Sequence, residues 1–363
     1  MSFKSQDPFV YVGTYTEKEG SQSKGIYVYR MDSSSGALSF VWEAKGIINP
    51  SYLELHPHQN FLYAVNELQS FGGQEAGGVT ALSSDPRSGE LNLLNAYSSH
   101  GKDPCYISLE QTGRYALVAN YTSGTVAMFP LDADTGDLGP ATEVIQHSGS
   151  SIHPERQTAP HAHCILPDPG NHFAIAVDLG LDKLLVYEMN LELGKLNEHT
   201  EVNVHAGAGP RHLIFHPNAQ YAYLINELNA TLVGYRYHSA SGSFEELQTV
   251  PALPGDFAGE NLCADVHITP DGKYLYASNR GYDSLVCFSI DQTTGLLTYR
   301  HHTATGGREP RNFAIDPSGT FLLAANQNSH TIVTFRIDPQ SGELSSTGAE
   351  TVVSMPVCVK FAN

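Results

Sequence analysis

Apolar and aromatic residues fall in short runs of strand length, and polar turns break them at a regular interval. Phe9-Val10-Tyr11-Val12-Gly13-Thr14 and Tyr221-Ala222-Tyr223-Leu224-Ile225-Asn226 are two examples. β-Branched and aromatic side chains suit a pleated surface, so these runs predict strands. A hairpin signal recurs seven times: Gly36-Ala37-Leu38, Gly89-Glu90-Leu91, Gly136-Asp137-Leu138, Gly194-Lys195-Leu196, Gly242-Ser243-Phe244, Gly295-Leu296-Leu297 and Gly342-Glu343-Leu344. Successive glycines lie 53, 47, 58, 48, 53 and 47 residues apart. A period of about 50 residues built of short strands predicts the blades of a β-propeller.

A second pattern runs in step with the first: Pro, a short strand, a turn, an aromatic strand, then Asn. It spans 16 residues from Pro50 to Asn66, Pro104 to Asn120, Pro210 to Asn226 and Pro310 to Asn326. Cys263 replaces the Pro before Asn279, and Pro160 leads to Asp178 across two extra residues. With Pro356, seven starts result. The inner turns, such as Thr269-Pro270-Asp271-Gly272 and Asp316-Pro317-Ser318-Gly319, use Pro to preset φ and Gly to accept positive φ. Each unit therefore predicts four antiparallel strands, A to D, with D after the Gly-x-Leu turn. The last start supplies only an A strand, and the chain opens on a B strand at Phe9. The expected fold is all-β: one seven-bladed propeller domain over 1–363, its last blade closed by the C-terminal strand with the N-terminal strands.

Composition narrows the picture. Of 363 residues 41% are apolar, enough for a large core, and no apolar run is long enough to span a membrane. The first eight residues lack a signal-peptide core, and five scattered cysteines show no disulfide or zinc spacing, so a cytoplasmic setting is expected. The net charge of −18 argues against nucleic acid or an anionic membrane as a partner. It leaves room for a small anion held by a local group of arginines, although the acidic field opposes its approach.

The register says where to look. The start of A and the end of B meet at one mouth of the central channel. The residues after the A starts are Ser51, Cys105, His161, Arg211, Ala264, Arg311 and Val357; those at the B ends are Glu67, Tyr121, Leu179, Glu227, Arg280, Gln327 and Thr14. A plain scaffold would repeat one residue type here, whereas these positions diverge. Arginines there offer paired donors to phosphate or carboxylate, and Glu and His can move protons. His161-x-His163 is the tight imidazole pair at this mouth and has no evident third ligand, so no metal and no other cofactor is expected. His56 and His216, before Pro on the far turns, read as structural. Two polar loops flank the mouth. The 147–157 insertion reads either as a lid or as a tolerated loop. The 16–24 loop brings Lys18 and Lys24 near as contacts for an anion, or simply as solvated lysines.

Several stretches resemble a known family. Gly209-Pro210-Arg211-His212-Leu213-Ile214-Phe215-His216-Pro217, Ile225-Asn226-Glu227-Leu228, Asp265-Val266-His267-Ile268-Thr269-Pro270-Asp271-Gly272 and Gly13-Thr14-Tyr15-Thr16 are similar to the bacterial seven-bladed propeller lactonases. That family includes cycloisomerase-type 6-phosphogluconolactonases and fungal carboxy-muconate cyclases. The resemblance covers essentially the whole chain. It implies hydrolysis of 6-phospho-D-glucono-1,5-lactone to 6-phosphogluconate, in the pentose phosphate pathway and without a metal. It also implies a site of His161, Arg211, Glu227 and Arg280, with either Glu227 or His161 as base. Arg311, Gln327, His163 and Glu67 are the expected substrate-binding neighbours. Two other functions fit the same scaffold: a muconate-type lactone cyclase or isomerase, and a non-enzymatic protein-binding propeller.

Overall fold

Seven four-stranded antiparallel sheets, one for each sequence repeat, carry the chain. The computed structural model describes residues 7–362; residues 1–6, part of the segment read as lacking a signal peptide, and Asn363 lie outside the described residues. Blade 4 shows the order: A is Pro210–Phe215, B Tyr221–Asn226, C Thr231–His238 and D Ser243–Pro251. Strand B is buried along its whole length, whereas D is mostly half-buried or exposed. Inner strands lie between two neighbouring sheets and read as continuous apolar runs; the outermost strand meets water on its rim. The closing blade joins the C-terminal strand Pro356–Phe361 to Phe9–Thr14, with Val10 opposite Phe361 and Val12 opposite Val359.

The two sequence repeats interlock. Each hairpin glycine sits against the first aromatic of strand B in the preceding blade: Gly89 on Phe9, Gly136 on Phe61, Gly194 on Tyr115, Gly242 on Phe173, Gly295 on Tyr221, Gly342 on Tyr274 and Gly36 on Phe321. Every blade is thereby seated on its neighbour around the ring. At Gly89 φ is +74° and a Cβ would stand 2.6 Å from the Phe9 ring, so backbone and ring both demand glycine. The hydroxyls of Tyr63, Tyr223 and Tyr276 add donor bonds of 3.0, 2.8 and 2.6 Å to the carbonyls of Gly136, Gly295 and Gly342. His56 and His216 meet the carbonyls of Gly113 and Gly272 on the next blade's inner turn at 3.0 and 2.9 Å, a structural use. Four of the recurrent asparagines serve the backbone: Asn66, Asn120, Asn279 and Asn326 donate to the carbonyls of Ile48, Ser99, Ala252 and Thr305.

Strand A carries an irregularity that bears on chemistry. In blade 4 the ladder runs from the pair Pro210–Asn226 to the pair His212–Ile225 and skips Arg211. The same skip leaves Cys105, His163, Arg311 and Val357 unpaired in blades 2, 3, 6 and 7. Such a bulge frees one residue from the ladder and re-aims its side chain.

Two registers differ from the sequence reading. In blade 3 strand A begins at Ala162, opposite Asp178, rather than at Pro160. The two extra residues extend the approach to the strand, so the bulged position is His163, and His161 precedes the strand. In blade 7 Thr14 faces Pro356 as Asn226 faces Pro210, so the counterpart of Glu227 is Tyr15 rather than Thr14.

Candidate active site

The bulged A-strand residues and the residues just past strand B converge on a cavity of about 270 Å³. Three larger grooves, of about 380, 430 and 400 Å³, lie away from these positions, between blades 7 and 1, between blades 2 and 3 and between blades 4 and 5. The mouth is set apart by its charges, not by its size.

Glu227 is the centre of the cluster. Its Oε2 accepts from Arg211 Nε at 3.0 Å and from Arg280 Nη2 at 2.7 Å. Its Oε1 accepts from Arg156 Nη2 at 2.6 Å, and the same nitrogen donates to the Tyr121 hydroxyl at 3.0 Å. The Glu227 and Arg211 side chains are only 4% and 2% exposed. Burial alone would raise the Glu227 pKa, but Arg280, Arg211 and Arg156 outweigh it and bring it down to about 2. Burial, with Arg280 and Arg311 alongside, lowers Arg211 to about 10, still cationic at neutral pH. The carboxylate is therefore a permanent anion with both oxygens engaged, a clamp on three guanidinium groups.

Arg211 is held from below as well. Its Nη1 donates to the Ala264 carbonyl at 2.5 Å and to His212 Nε2 at 3.2 Å. His212 Nδ1 meets Asp265 Oδ1 at 2.8 Å, and Asp265 Oδ2 also takes His267 at 3.0 Å and Asn312 at 2.5 Å. Burial, then Arg211, lowers His212 to about 4, so it is neutral and keeps a lone pair for Arg211.

The two imidazoles separate. His163 lines the cavity and is nearly buried. Its Nδ1 lies 3.7 Å from Cys105 Sγ, and among the described residues its Nε2 has no hydrogen-bond partner. Burial first, then the Arg211 charge, holds it well below the ordinary histidine value, hence neutral. His161 stacks on Tyr121 with ring centroids 4.6 Å apart, and its Nδ1 meets the Tyr121 carbonyl at 3.0 Å. It is not part of the cavity wall.

The chain matches, over residues 9–361, the family described as lactonase, 7-bladed beta-propeller. It belongs to that family. The chain is 38% identical over 351 residues to the Bacillus subtilis protein named 6-phosphogluconolactonase, covering 97% of each chain. A putative 6-phosphogluconolactonase from Bacteroides fragilis superposes with a TM-score of 0.92 at 36% identity, covering 100% of both chains. The periplasmic gluconolactonase of Pseudomonas aeruginosa superposes with a TM-score of 0.92 at 37% identity, over 98% of this chain and 99% of that one.

Of the sequence-predicted residues, Glu227, Arg280, Arg311, Glu67 and His163 line the cavity, and Arg211 lies directly beneath it. Gln327 begins a short 3-10 turn, bonds its neighbour Asn328 and stays outside the wall. Glu67 accepts the Tyr15 hydroxyl at 2.8 and 2.9 Å and lies 4.0 Å from Arg311. Sequence reasoning missed Arg156. The 147–157 insertion delivers it, anchored by buried Gln157, which donates to the Leu179 carbonyl at 2.8 Å, and by Ser151, which donates to Asp182 at 2.6 Å. The signal available was one cation inside a polar insertion just ahead of blade 3.

Proposed function

We propose that this lactonase opens an anionic sugar lactone, 6-phospho-D-glucono-1,5-lactone, to 6-phosphogluconate, the pentose phosphate step expected from its sequence. One observation carries the reading: three arginines converge on Glu227 beside a neutral imidazole that faces the cavity. The name of the Bacillus subtilis relative supports the same substrate. Guanidinium donors suit both a phosphate and a developing oxyanion, and held in place they need no reorganisation during reaction.

In this scheme His163 Nε2 accepts a proton from water as the water oxygen bonds to the lactone carbonyl carbon. The carbonyl oxygen becomes an oxyanion facing Arg156 and Arg280. The bond from carbonyl carbon to ring oxygen then breaks, and the ring oxygen takes the proton from His163. The carboxylic acid formed ionises. Glu227 serves as the clamp rather than the base, because both of its oxygens are already engaged by three arginines.

The test is hydrolysis of freshly prepared 6-phosphogluconolactone, with spontaneous opening subtracted, against gluconolactone and a muconolactone. His163→Ala is expected to lower kcat about 100-fold, within the range for a positioned acid–base group. His161→Ala is expected to stay within about threefold. A larger loss in the His161 variant would return the base to that residue, and a fully active His163→Ala enzyme would sink the scheme.

A further inference from the structure

Donor accounting divides the cavity into two poles. Arg211 and Arg280 spend most of their N–H groups on Glu227 and on the carbonyls of Ala264, Leu262 and Cys263, with Arg280 Nη1 left 3.7 Å from Glu309. Arg156 spends one nitrogen on Glu227 and Tyr121. Lys18 and Arg311 differ. Among the described residues neither side chain donates a hydrogen bond; of the acids nearest them, Glu67 lies 4.0 Å from Arg311 at the outer limit of an ion pair, and Asp103, also in the cavity wall, accepts from Gln69 and from the Thr122 hydroxyl. Glu67 is itself turned to the Tyr15 hydroxyl.

Lys18 and Arg311 share one platform. Lys18 Nζ stands 3.5 Å and Arg311 Cζ 5.5 Å from the centroid of the Tyr15 ring, which is fully buried. Both side chains line the cavity, one from the loop between strands B and C of blade 7 and the other from the bulge of blade 6. Burial, then the Arg311 charge, lowers the Lys18 pKa, as expected of a cation whose neighbourhood is already positive. Cations with unspent donors, held on an aromatic face beside a weakly paired acid, leave a surplus of charge that a neutral sugar hydroxyl would not offset.

We propose that Lys18 and Arg311 form a subsite for a phosphomonoester dianion, and that this subsite sets a preference for phosphorylated over unphosphorylated lactones. The lactone carbonyl then lies at the Glu227–His163 pole, and the phosphate takes the guanidinium fork of Arg311 and the ammonium of Lys18. The proposal rests on the reading of the cavity as a lactone site.

Lys18→Met tests it, because Lys18 is an exposed loop residue and the substitution should leave the fold intact. The expected result is a rise in KM for 6-phosphogluconolactone of about tenfold or more, the loss of one charge-assisted contact. Activity on gluconolactone should stay within about twofold. Inorganic phosphate, titrated calorimetrically, should bind the parent and lose that binding in Lys18→Met. Equal losses on both lactones, an unchanged KM, or phosphate binding retained by the variant would overturn the subsite. If the parent accelerates no lactone, the functional reading falls. The phosphate titration then decides the subsite alone: binding lost in the variant supports it, and binding retained or absent in the parent overturns it.

Discussion

Replacing Glu227 by glutamine keeps the size of the side chain and removes the charge that three arginines share. The pKa displacement sets the scale. A fall from 4.5 to about 2 corresponds to roughly 3 kcal/mol of stabilisation from the ionised form. The substitution also leaves Arg211, 2% exposed, without its counter-ion, and breaking a buried pair from one side typically costs about 3–5 kcal/mol. We expect Glu227→Gln to lose about 3 kcal/mol, read as a lower urea midpoint at unchanged slope. The sign in pH follows from the depressed value. The contribution is fully present above the unfolded pKa near 4.5 and is lost as pH falls toward about 2. Parent and variant should therefore differ constantly from pH 8 to pH 5 and converge only in acid. Because the clamp also aims the guanidinium groups, KM for the phosphorylated lactone should rise along with the loss of stability. A variant with the parent's urea midpoint at pH 7 and a lower kcat alone would refute the clamp and restore Glu227 as base.

Two further outcomes concern the ring. Gly89→Ala forces φ of +74° on alanine and drives its Cβ to 2.6 Å from Phe9, so it should destabilise by about 2 kcal/mol, measured as a urea midpoint shift. A midpoint equal to the parent's would mean that the hairpins are not seated as described. Ending the chain after Val353 removes Pro356–Phe361, the inner strand of the closing blade. Such a chain should fail to give a cooperative melt, and one that melts like the parent would refute closure.

Much of the architecture was legible because a repeat averages its own noise. Seven hairpins and a constant Pro-to-Asn span place every sheet, and Arg211, Glu227, Arg280 and Arg311 are found by counting. The misplacements arise where counting breaks. Two added residues before blade 3 can lie inside the strand or ahead of it, and only the pairing of Ala162 with Asp178 decides this, moving the bulge from His161 to His163. Thr14 stood in for Tyr15 because blade 7 has no Asn to mark the end of its B strand. Arg156 reaches Glu227 through a loop outside the repeat, where spacing carries no information about distance. The seating of glycine on the preceding blade's aromatic involves residues 68 to 80 positions apart in six of its seven instances, a separation that no local pattern encodes.

The bulges have a consequence for how such a mouth changes over time. Cys105, His163, Arg211, Arg311 and Val357 sit outside the ladder, so none of them has a cross-strand partner whose side chain it must match. The framework and the reactive surface are thus mutationally separable: one can drift while the other stays constant. Selection can replace the chemistry at the rim one blade at a time, with the hydrogen-bonded ring left whole at each step.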